Sequence, residues 1–233
     1  MRFASNPGRF AGFLYVLASI PGFFALVYVP NKIIVHGDAV ATAHNIATSE
    51  ALFRLGIAAD LFCQTLFIFV ALALYSLLKE VGPRQALCML VLILVAIPIA
   101  LLNELNSIAA LILVRGADFL SGLDETKRDI LARMFLVLRG YGVDIAGILW
   151  GLWLFPLGML VYRSGFLPRW LGVLLMLACF AYLGNSFTSL LLPKYETIVS
   201  RWLSPLQLAE VLFMAWLLIR GAVPKTMAAA QNA

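Results

Sequence analysis

Charged side chains are scarce in this sequence. Lys, Arg, Asp and Glu together account for 12% of its 233 residues, whereas 63% of the residues are hydrophobic. A soluble domain carries roughly twice that share of charge, and several runs here approach or exceed the roughly 20 apolar residues that span a bilayer. The composition therefore predicts an integral membrane protein without a nucleic-acid partner. In such a protein the net charge of +5 mainly sets the membrane topology.

Histidine and cysteine are also rare, with two and three copies. His36 and His44 both fall in the first long loop, and neither has the paired spacing of a zinc-binding helix. The cysteines are odd in number, match no metal motif and lie inside apolar runs, so we interpret them as small core residues. These patterns assign no metal ligand, and they identify no cofactor.

Long apolar runs fill most of the chain. They predict six membrane spans, at about 10–29, 49–78, 85–114, 129–162, 170–192 and 205–222. We therefore predict an all-α, polytopic membrane helix bundle that forms one transmembrane domain over residues 1–233. Pro21 and Gly22 predict a kink in the first span. The stretch "SPLQ" predicts the start of the sixth, with Ser204 as the cap and Pro205 at the first helical position.

The connection between the first two spans, "GDAVATAHNIATSEALFR", has no spanning character before about Leu52. Asp38 can cap a short helix, and Ser49 can cap the second span. We expect residues 38–48 to form a short surface helix that partly covers a polar site, with His44 and Asn45 directed toward it.

Basic residues favour one orientation of the bundle. The two shortest loops carry Lys79 and Arg84 in one case and Arg163 and Arg169 in the other. Short loops rich in Lys and Arg face the cytoplasm. We therefore expect both termini to be cytoplasmic and this first long loop to lie outside.

Two stretches, "GDAVATAHNIATSEALFRLGIAADL" and "WGLWLFPLGMLVYRSGFLPRWLGVLL", resemble an uncharacterised bacterial integral-membrane family known only as a domain of unknown function. The second stretch, with its "LVYRSGFLPR" turn, is the more specific. The resemblance covers nearly the whole chain. It implies a multi-pass protein of a bacterial cytoplasmic membrane, and it implies no activity.

Polar side chains inside the spans share one level. Converted to depth, all of them fall in the half of each span nearer the first long loop. Charged groups in a membrane are costly and normally face one another or water, so this coincidence predicts an acid-rich polar cavity open to that side. The candidate ligand-binding residues are Asp60, Gln64, Asn103, Glu104, Arg139, Asp144, Asn185 and Glu210, with His44 from the loop.

Helical angles refine this site. Asp144 lies on a stripe with Gly140, Gly147 and Gly151, and small residues let helices approach closely in lipid. Asp144 should therefore be buried against another helix, where it is either protonated or accepts hydrogen bonds from Asn and Ser on the third and fifth spans. Arg139 projects about 140° away at ~100° per residue, so its expected partner is Glu104 or, failing that, Asp60.

Three functions stay open. The first is binding or transport of a small polar or amphiphilic molecule or ion, because intramembrane acids are commonly functional. The second is a structural or accessory role in which the polar network only holds the helices together. The third is an intramembrane hydrolase that uses Asp60, Glu104, Asp144 or Glu210 with the two histidines to bind a metal or to activate water. Whether the protein is an enzyme therefore stays undecided. Membrane lipids are the expected partners, and the sequence leaves the oligomeric state open.

Overall fold

The computed structural model describes residues 6–224, which contain helices and short connections but no strand. The α-helices are α1 (Pro7–Phe23), α2 (Val29–Ile33), α3 (Ala39–Thr48), α4 (Glu50–Leu78), α5 (Pro83–Arg115), α6 (Glu125–Ser164), α7 (Arg169–Leu191) and α8 (Glu196–Arg220). A π-helix at Phe24–Tyr28 joins α1 to α2, and 3₁₀ turns at Asp118–Leu120 and Pro193–Tyr195 precede α6 and α8.

Within residues 6–224, six helical segments are long and apolar enough to cross a membrane, at Pro7–Ile33, Glu50–Leu78, Pro83–Arg115, Glu125–Ser164, Arg169–Leu191 and Pro193–Arg220. This confirms the all-α class and the number of spans, so the chain is a multi-pass membrane protein. At ~1.5 Å per residue, the 33 residues of α5 measure about 50 Å against a ~30 Å hydrocarbon core. Such a helix must tilt or protrude.

The predicted start of the last span is wrong. Helix α8 begins at Glu196, and Pro205 lies inside it rather than at its first turn. Proline is tolerated within a membrane helix because neighbouring groups can satisfy the carbonyl that it leaves without a donor. Ser204 therefore lies inside α8 and does not cap its start.

The irregular part of the first span lies just after Pro21. The backbone winds as a π-helix over Phe24–Tyr28 before returning to α-helix at Val29. Proline removes one helical hydrogen bond, and π-turns and prolines are the usual places where helices deviate. The deviation predicted at Pro21–Gly22 is thus located one turn further along the chain.

The described residues divide into two compact units. We call residues 6–18, 66–98 and 144–224 the large unit, and residues 19–65 and 99–143 the small unit. The unit boundaries fall inside α1, α4, α5 and α6. The single transmembrane domain over 1–233 stays a prediction.

The large unit has an apolar core built around Leu74, Trp153, Leu157 and Phe213, each with at most 1% of its surface exposed. Cys179 lies in this core, as expected for a small core residue, whereas Cys88 is exposed. Helices α6 and α7 approach closely at two facing glycines. A Cβ added to Gly158 would meet the carbonyl oxygen of Gly172, and one added to Gly172 would meet the carbonyl oxygen of Gly158.

The small unit has a separate core that includes Ile33, Ile46 and Leu136. The predicted short helix is confirmed as α3, and the Asp38 side chain accepts a hydrogen bond from the Ala41 N–H at 2.8 Å as its N-cap. Helix α3 buries Ile46 in this core, so it is anchored by apolar contact as well as by its cap. Cys63, in α4, is also buried.

Candidate functional site

Arg139, on α6 in the small unit, lies between two carboxylates. Its Nε donates to Glu104 Oε1 at 2.8 Å, and its Nη2 donates to Asp60 Oδ2 at 3.1 Å. Nη2 also lies 2.6 Å from Glu104 Oε1 as an ion pair. Only 14% of the Arg139 side chain is exposed, against 2% for Glu104 and 4% for Asp60. The predicted contact with Glu104 is confirmed. The structure adds that Asp60 binds the same guanidinium at the same time.

Amide side chains surround this group, which we call the Arg139 cluster (Asp60, Gln64, Asn103, Glu104 and Arg139). Gln64, one turn after Asp60 on α4, donates to Asp60 Oδ1 at 3.1 Å. Asn103, next to Glu104 on α5, donates to the backbone carbonyl of Arg139 at 2.9 Å. The amides hold the acids and the arginine in position by short-range hydrogen bonds.

A glycine on α6 makes the Asn103 contact feasible. A Cβ added to Gly142 would collide with the Asn103 side-chain amide. Gly142 lies three residues after Arg139 and so on the same face of α6. The sequence analysis selected Gly140 because it shares a helix face with Asp144. It missed Gly142, which lies on the face of α6 that contacts Asn103.

The Arg139 cluster has one more carboxylate than cations. Asp60 and Glu104 face the single guanidinium of Arg139. Glu104 Oε2 is buried and has no donor among residues 6–224, and the Glu104 and Asp60 carboxyl groups lie close enough to share a hydrogen bond. An unsatisfied buried acceptor costs about 1–3 kcal/mol, and more if it is charged. The cluster therefore has chemical capacity for one further donor, which can be a proton, a metal or organic cation, or the N–H or O–H of a ligand.

Asp144 belongs to the large unit and faces α7. Ser189 donates to Asp144 Oδ2 at 2.6 Å, which confirms the predicted hydrogen bond from a serine of the fifth span. Gly147 and Gly151 lie on the same contact, because added Cβ atoms there would meet Ser186 and Tyr182. Asp144 itself is only partly buried.

Gly140 does not share that contact. A Cβ added to Gly140 would meet nothing within 4 Å, so the predicted stripe is wrong at this position. Helix α7 ends at Leu191, only two residues after the Ser189 contact. Gly140 has the helical spacing expected for this face of α6, but α7 ends before it could contact Gly140.

Glu210 is the second predicted site acid in the large unit. The hydroxyls of Tyr15 and Tyr182 both donate to its carboxylate. Tyr15 is buried with an edge-to-face contact to Phe67, whose ring centroid is 5.5 Å away. Sequence reasoning missed Tyr15 and Tyr182 because it counted only ionisable and amide side chains as polar. The sequence did place tyrosines at about the depth of Glu210, and a buried tyrosine hydroxyl usually has a hydrogen-bond partner.

The remaining two predicted residues occupy other surroundings. Asn185 Nδ2 lies 3.5 Å from Ser204 Oγ within the large unit, and Asn185 Oδ1 is buried without a partner among the described residues. His44 is exposed on α3 of the small unit. Its neighbour Asn45 donates to the backbone carbonyl of Ile33 at 3.1 Å, so that amide fixes the end of α2.

The nine predicted residues thus fall into several local groups. The Arg139 cluster gathers five of them in the small unit, while Asp144 and Glu210 each have their own hydroxyl partners in the large unit. A surface pocket of the small unit, with a volume of about 410 Å³, is lined by Arg54, Ile108, Leu111, Ile112, Arg115, Gly116 and Ala117. None of the nine predicted residues lines that pocket.

The family model described as "Domain of unknown function (DUF4386)" matches residues 10–221 of this chain. An "Uncharacterized protein" of Archaeoglobus fulgidus is 37% identical over 79 residues, which are 34% of this chain and 46% of that protein. The match therefore spans less than half the length of this relative. No solved structure matches the chain.

Proposed function

We propose that this chain, which belongs to the family described as Domain of unknown function (DUF4386), binds or transports a small polar or amphiphilic molecule or ion at the Arg139 cluster. One observation carries the proposal. Glu104 Oε2 is buried and receives no donor from residues 6–224, in a cluster whose two carboxylates share one guanidinium. A group that supplies a donor or a positive charge would complete both the hydrogen bonding and the charge balance.

The ligand that this chemistry favours is a cation or a hydrogen-bond donor. The one positive charge of Arg139 is already directed at Glu104 Oε1 and Asp60 Oδ2, so an anion would find only acceptors at the free oxygen. A proton, an alkali cation or a small ammonium group fits the unpaired Glu104 Oε2. Intramembrane acids in transporters commonly hold such ions.

A structural role for the same cluster is the second candidate. The observation in its favour is that Asn103 and Gln64 hydrogen bond within the cluster, so most polar groups have a partner. Polar contacts between membrane helices average about 0.6 kcal/mol, which is enough to hold helices in register. A hydrolase has no comparable support, because His36 and His44 are both exposed on the first long loop. Residues 6–224 also hold no group of three His, Cys, Asp or Glu side chains that could bind a metal.

Thermal unfolding of the purified full-length protein in detergent separates binding from the structural role. The protein is melted in N-methylglucamine chloride buffer with and without added sodium, potassium or tetramethylammonium chloride. Binding predicts a rise in Tm for at least one cation in the wild type, by mass action. The rise should be lost in Glu104→Gln.

Glu125→Gln, an exposed acid on the same helix as Arg139, is the matched control and should keep the rise. If no cation shifts the wild-type Tm and Glu104→Gln only lowers it, the cluster is structural and the binding proposal fails.

The basic residues of the short loops support a proposed location and orientation in the membrane. A bacterial cytoplasmic membrane with both termini inside agrees with the short loops that carry Lys79, Arg84, Arg163 and Arg169. Alkaline phosphatase fused after Arg220 should be inactive in a bacterial host, and the same enzyme inserted after Ser121 should be active. The reverse pattern would invert the orientation.

A further inference from the structure

We propose that the 410 Å³ pocket of the small unit binds the head group of an anionic phospholipid from the membrane. The pocket has two basic side chains, Arg54 of α4 and Arg115 at the end of α5, above an apolar wall of Ile108, Leu111 and Ile112. This site is independent of the Arg139 cluster and shares no residue with it.

The two arginines are held side by side by one carboxylate. Glu50 Oε1 accepts from Arg54 Nε at 2.6 Å and lies 3.5 Å from Arg115 Nη1. The net charge of these three residues is +1. The Arg115 side chain is 59% exposed and the Arg54 side chain is 50% exposed. Guanidiniums with free N–H groups bind phosphate oxygens through paired hydrogen bonds.

Arg128 adds no net positive charge to the pocket, because two nearby acids offset it. The Arg128 guanidinium lies against Gly116 at the rim of the pocket. Asp124 and Asp129 lie close enough to Arg128 to interact with its charge. The excess positive charge of the pocket therefore comes from Arg54 and Arg115.

The apolar wall distinguishes a lipid from a soluble anion. Ile108, Ile112 and Arg115 follow one another at helical spacing, so they form one face of α5 with the charge at its end. Ile108 and Ile112 are 38% and 40% exposed, and the distance from Ile108 to Arg115 is about 10 Å along the helix axis. A free phosphate would leave this surface uncovered, whereas the glycerol and upper acyl carbons of a lipid would cover it.

The depth also agrees with a head group. Helix α5 has 33 residues, so its length exceeds the ~30 Å hydrocarbon core by about 20 Å. If this excess is shared between the two ends, about 10 Å of the Arg115 end lies in the head-group layer. The segment of α5 from Ile108 to Arg115 is also about 10 Å long, so it would lie in the head-group layer.

The test is a lipid titration of the full-length protein in detergent, followed by native mass spectrometry. Phosphatidylglycerol should bind the wild type more tightly than phosphatidylcholine, and inorganic phosphate should not displace it. Each arginine near a membrane surface contributes about fivefold to the affinity for anionic lipid. We therefore expect Arg54→Gln/Arg115→Gln to weaken phosphatidylglycerol binding about 25-fold.

Two further variants make the result specific. Arg201→Gln, which removes an exposed arginine of α8 in the large unit, should bind phosphatidylglycerol as the wild type does. Ile108→Asn/Ile112→Asn should weaken lipid binding with both arginines intact, and this variant also covers the case in which the arginine variant misfolds. Equal binding of the two lipids, displacement by inorganic phosphate, or unchanged affinity in the double arginine variant would each overturn the proposal.

Discussion

In the small unit two carboxylates share one guanidinium, whereas in the large unit Asp144 and Glu210 are held by hydroxyl groups. Arg139 contacts Glu104 and Asp60, while Glu210 accepts from Tyr15 and Tyr182. An ion pair and a hydroxyl contact both satisfy a carboxylate, but they differ in what remains when one partner is removed. Loss of the arginine leaves two buried acids without a counter-charge, whereas loss of a hydroxyl leaves one acid with its other donor.

The largest effect is expected for Arg139→Leu. Breaking a buried ion pair by removing one partner costs about 3–5 kcal/mol, and only 14% of the Arg139 side chain is exposed. The free energy of unfolding, measured by sodium dodecyl sulfate titration in mixed micelles, should fall by that order.

The triple variant Asp60→Asn/Glu104→Gln/Arg139→Gln should recover much of this loss, because it removes all three charges together. Arg201→Leu is the exposed control. If Arg139→Leu unfolds at the same sodium dodecyl sulfate fraction as the wild type, the ion-paired acids of the small unit contribute no more stability than the hydroxyl-bound acids of the large unit.

A smaller loss is expected for Gly158→Ala in the large unit. The added methyl group would meet the Gly172 carbonyl oxygen at 2.6 Å and the Met176 Cγ at 2.8 Å, and overpacking costs about 1–3 kcal/mol. Gly140→Ala in α6 is the matched control. Its Cβ would meet open space, so it should be neutral or stabilise the helix by up to about 1 kcal/mol. Equal losses in the two variants would mean that the glycine contact between α6 and α7 is not a close one.

A loss of about 1 kcal/mol is expected for Tyr15→Phe. The variant keeps the ring in the core and removes one of the two hydroxyl donors to Glu210, and a net hydrogen bond contributes about 0.5–1.5 kcal/mol. Tyr15→Phe combined with Tyr182→Phe should cost more than the sum of the single variants, because Glu210 then has neither donor. If Tyr15→Phe lowers the free energy of unfolding as much as Arg139→Leu does, the hydroxyl contacts of Glu210 stabilise the protein at least as strongly as the Arg139 ion pairs.

The smallest effect concerns Asp124, which precedes α6 outside the membrane-spanning segments. The Lys127 ammonium, 2.7 Å from Asp124 Oδ2, and the Lys127 backbone N–H, 2.8 Å from Oδ1, hold the pKa of Asp124 below its usual value. A carboxylate with a lowered pKa in the folded state stabilises the fold above the pKa of the unfolded state, about 3.9. This contribution is lost as the pH falls through the lowered folded-state pKa.

Asp124→Asn should therefore have a slightly lower Tm than the wild type at neutral pH. The difference between the two Tm values should shrink as the solution is made acidic. A Tm difference for Asp124→Asn that stays constant with pH would contradict this assignment.

The ion pair of the Arg139 cluster could be predicted from the sequence because the free-energy cost of an unpaired charge in a membrane depends on the residue type. An arginine within an apolar span needs an acid, and helical angles limited the choice to Glu104 or Asp60. The serine partner of Asp144 was predicted from the glycine stripe, but the tyrosine partners of Glu210 could not be predicted in this way. Serine and tyrosine are tolerated in a membrane helix with or without a partner, so Tyr15 and Tyr182 carry no comparable signal.

The sequence by itself determined the class of protein, the number of spans and the short α3 helix. These follow from runs of apolar residues and from one local cap, Asp38 to Ala41, and both act within one segment of chain. Only the tertiary structure decided that Asp60 joins Glu104 on the same guanidinium, that Gly142 rather than Gly140 admits a neighbouring side chain, and that α8 runs through Pro205. Each of these depends on which atoms of a second helix, distant in the chain, come within a few ångströms, and periodicity along one helix carries no information about where its partner begins or ends.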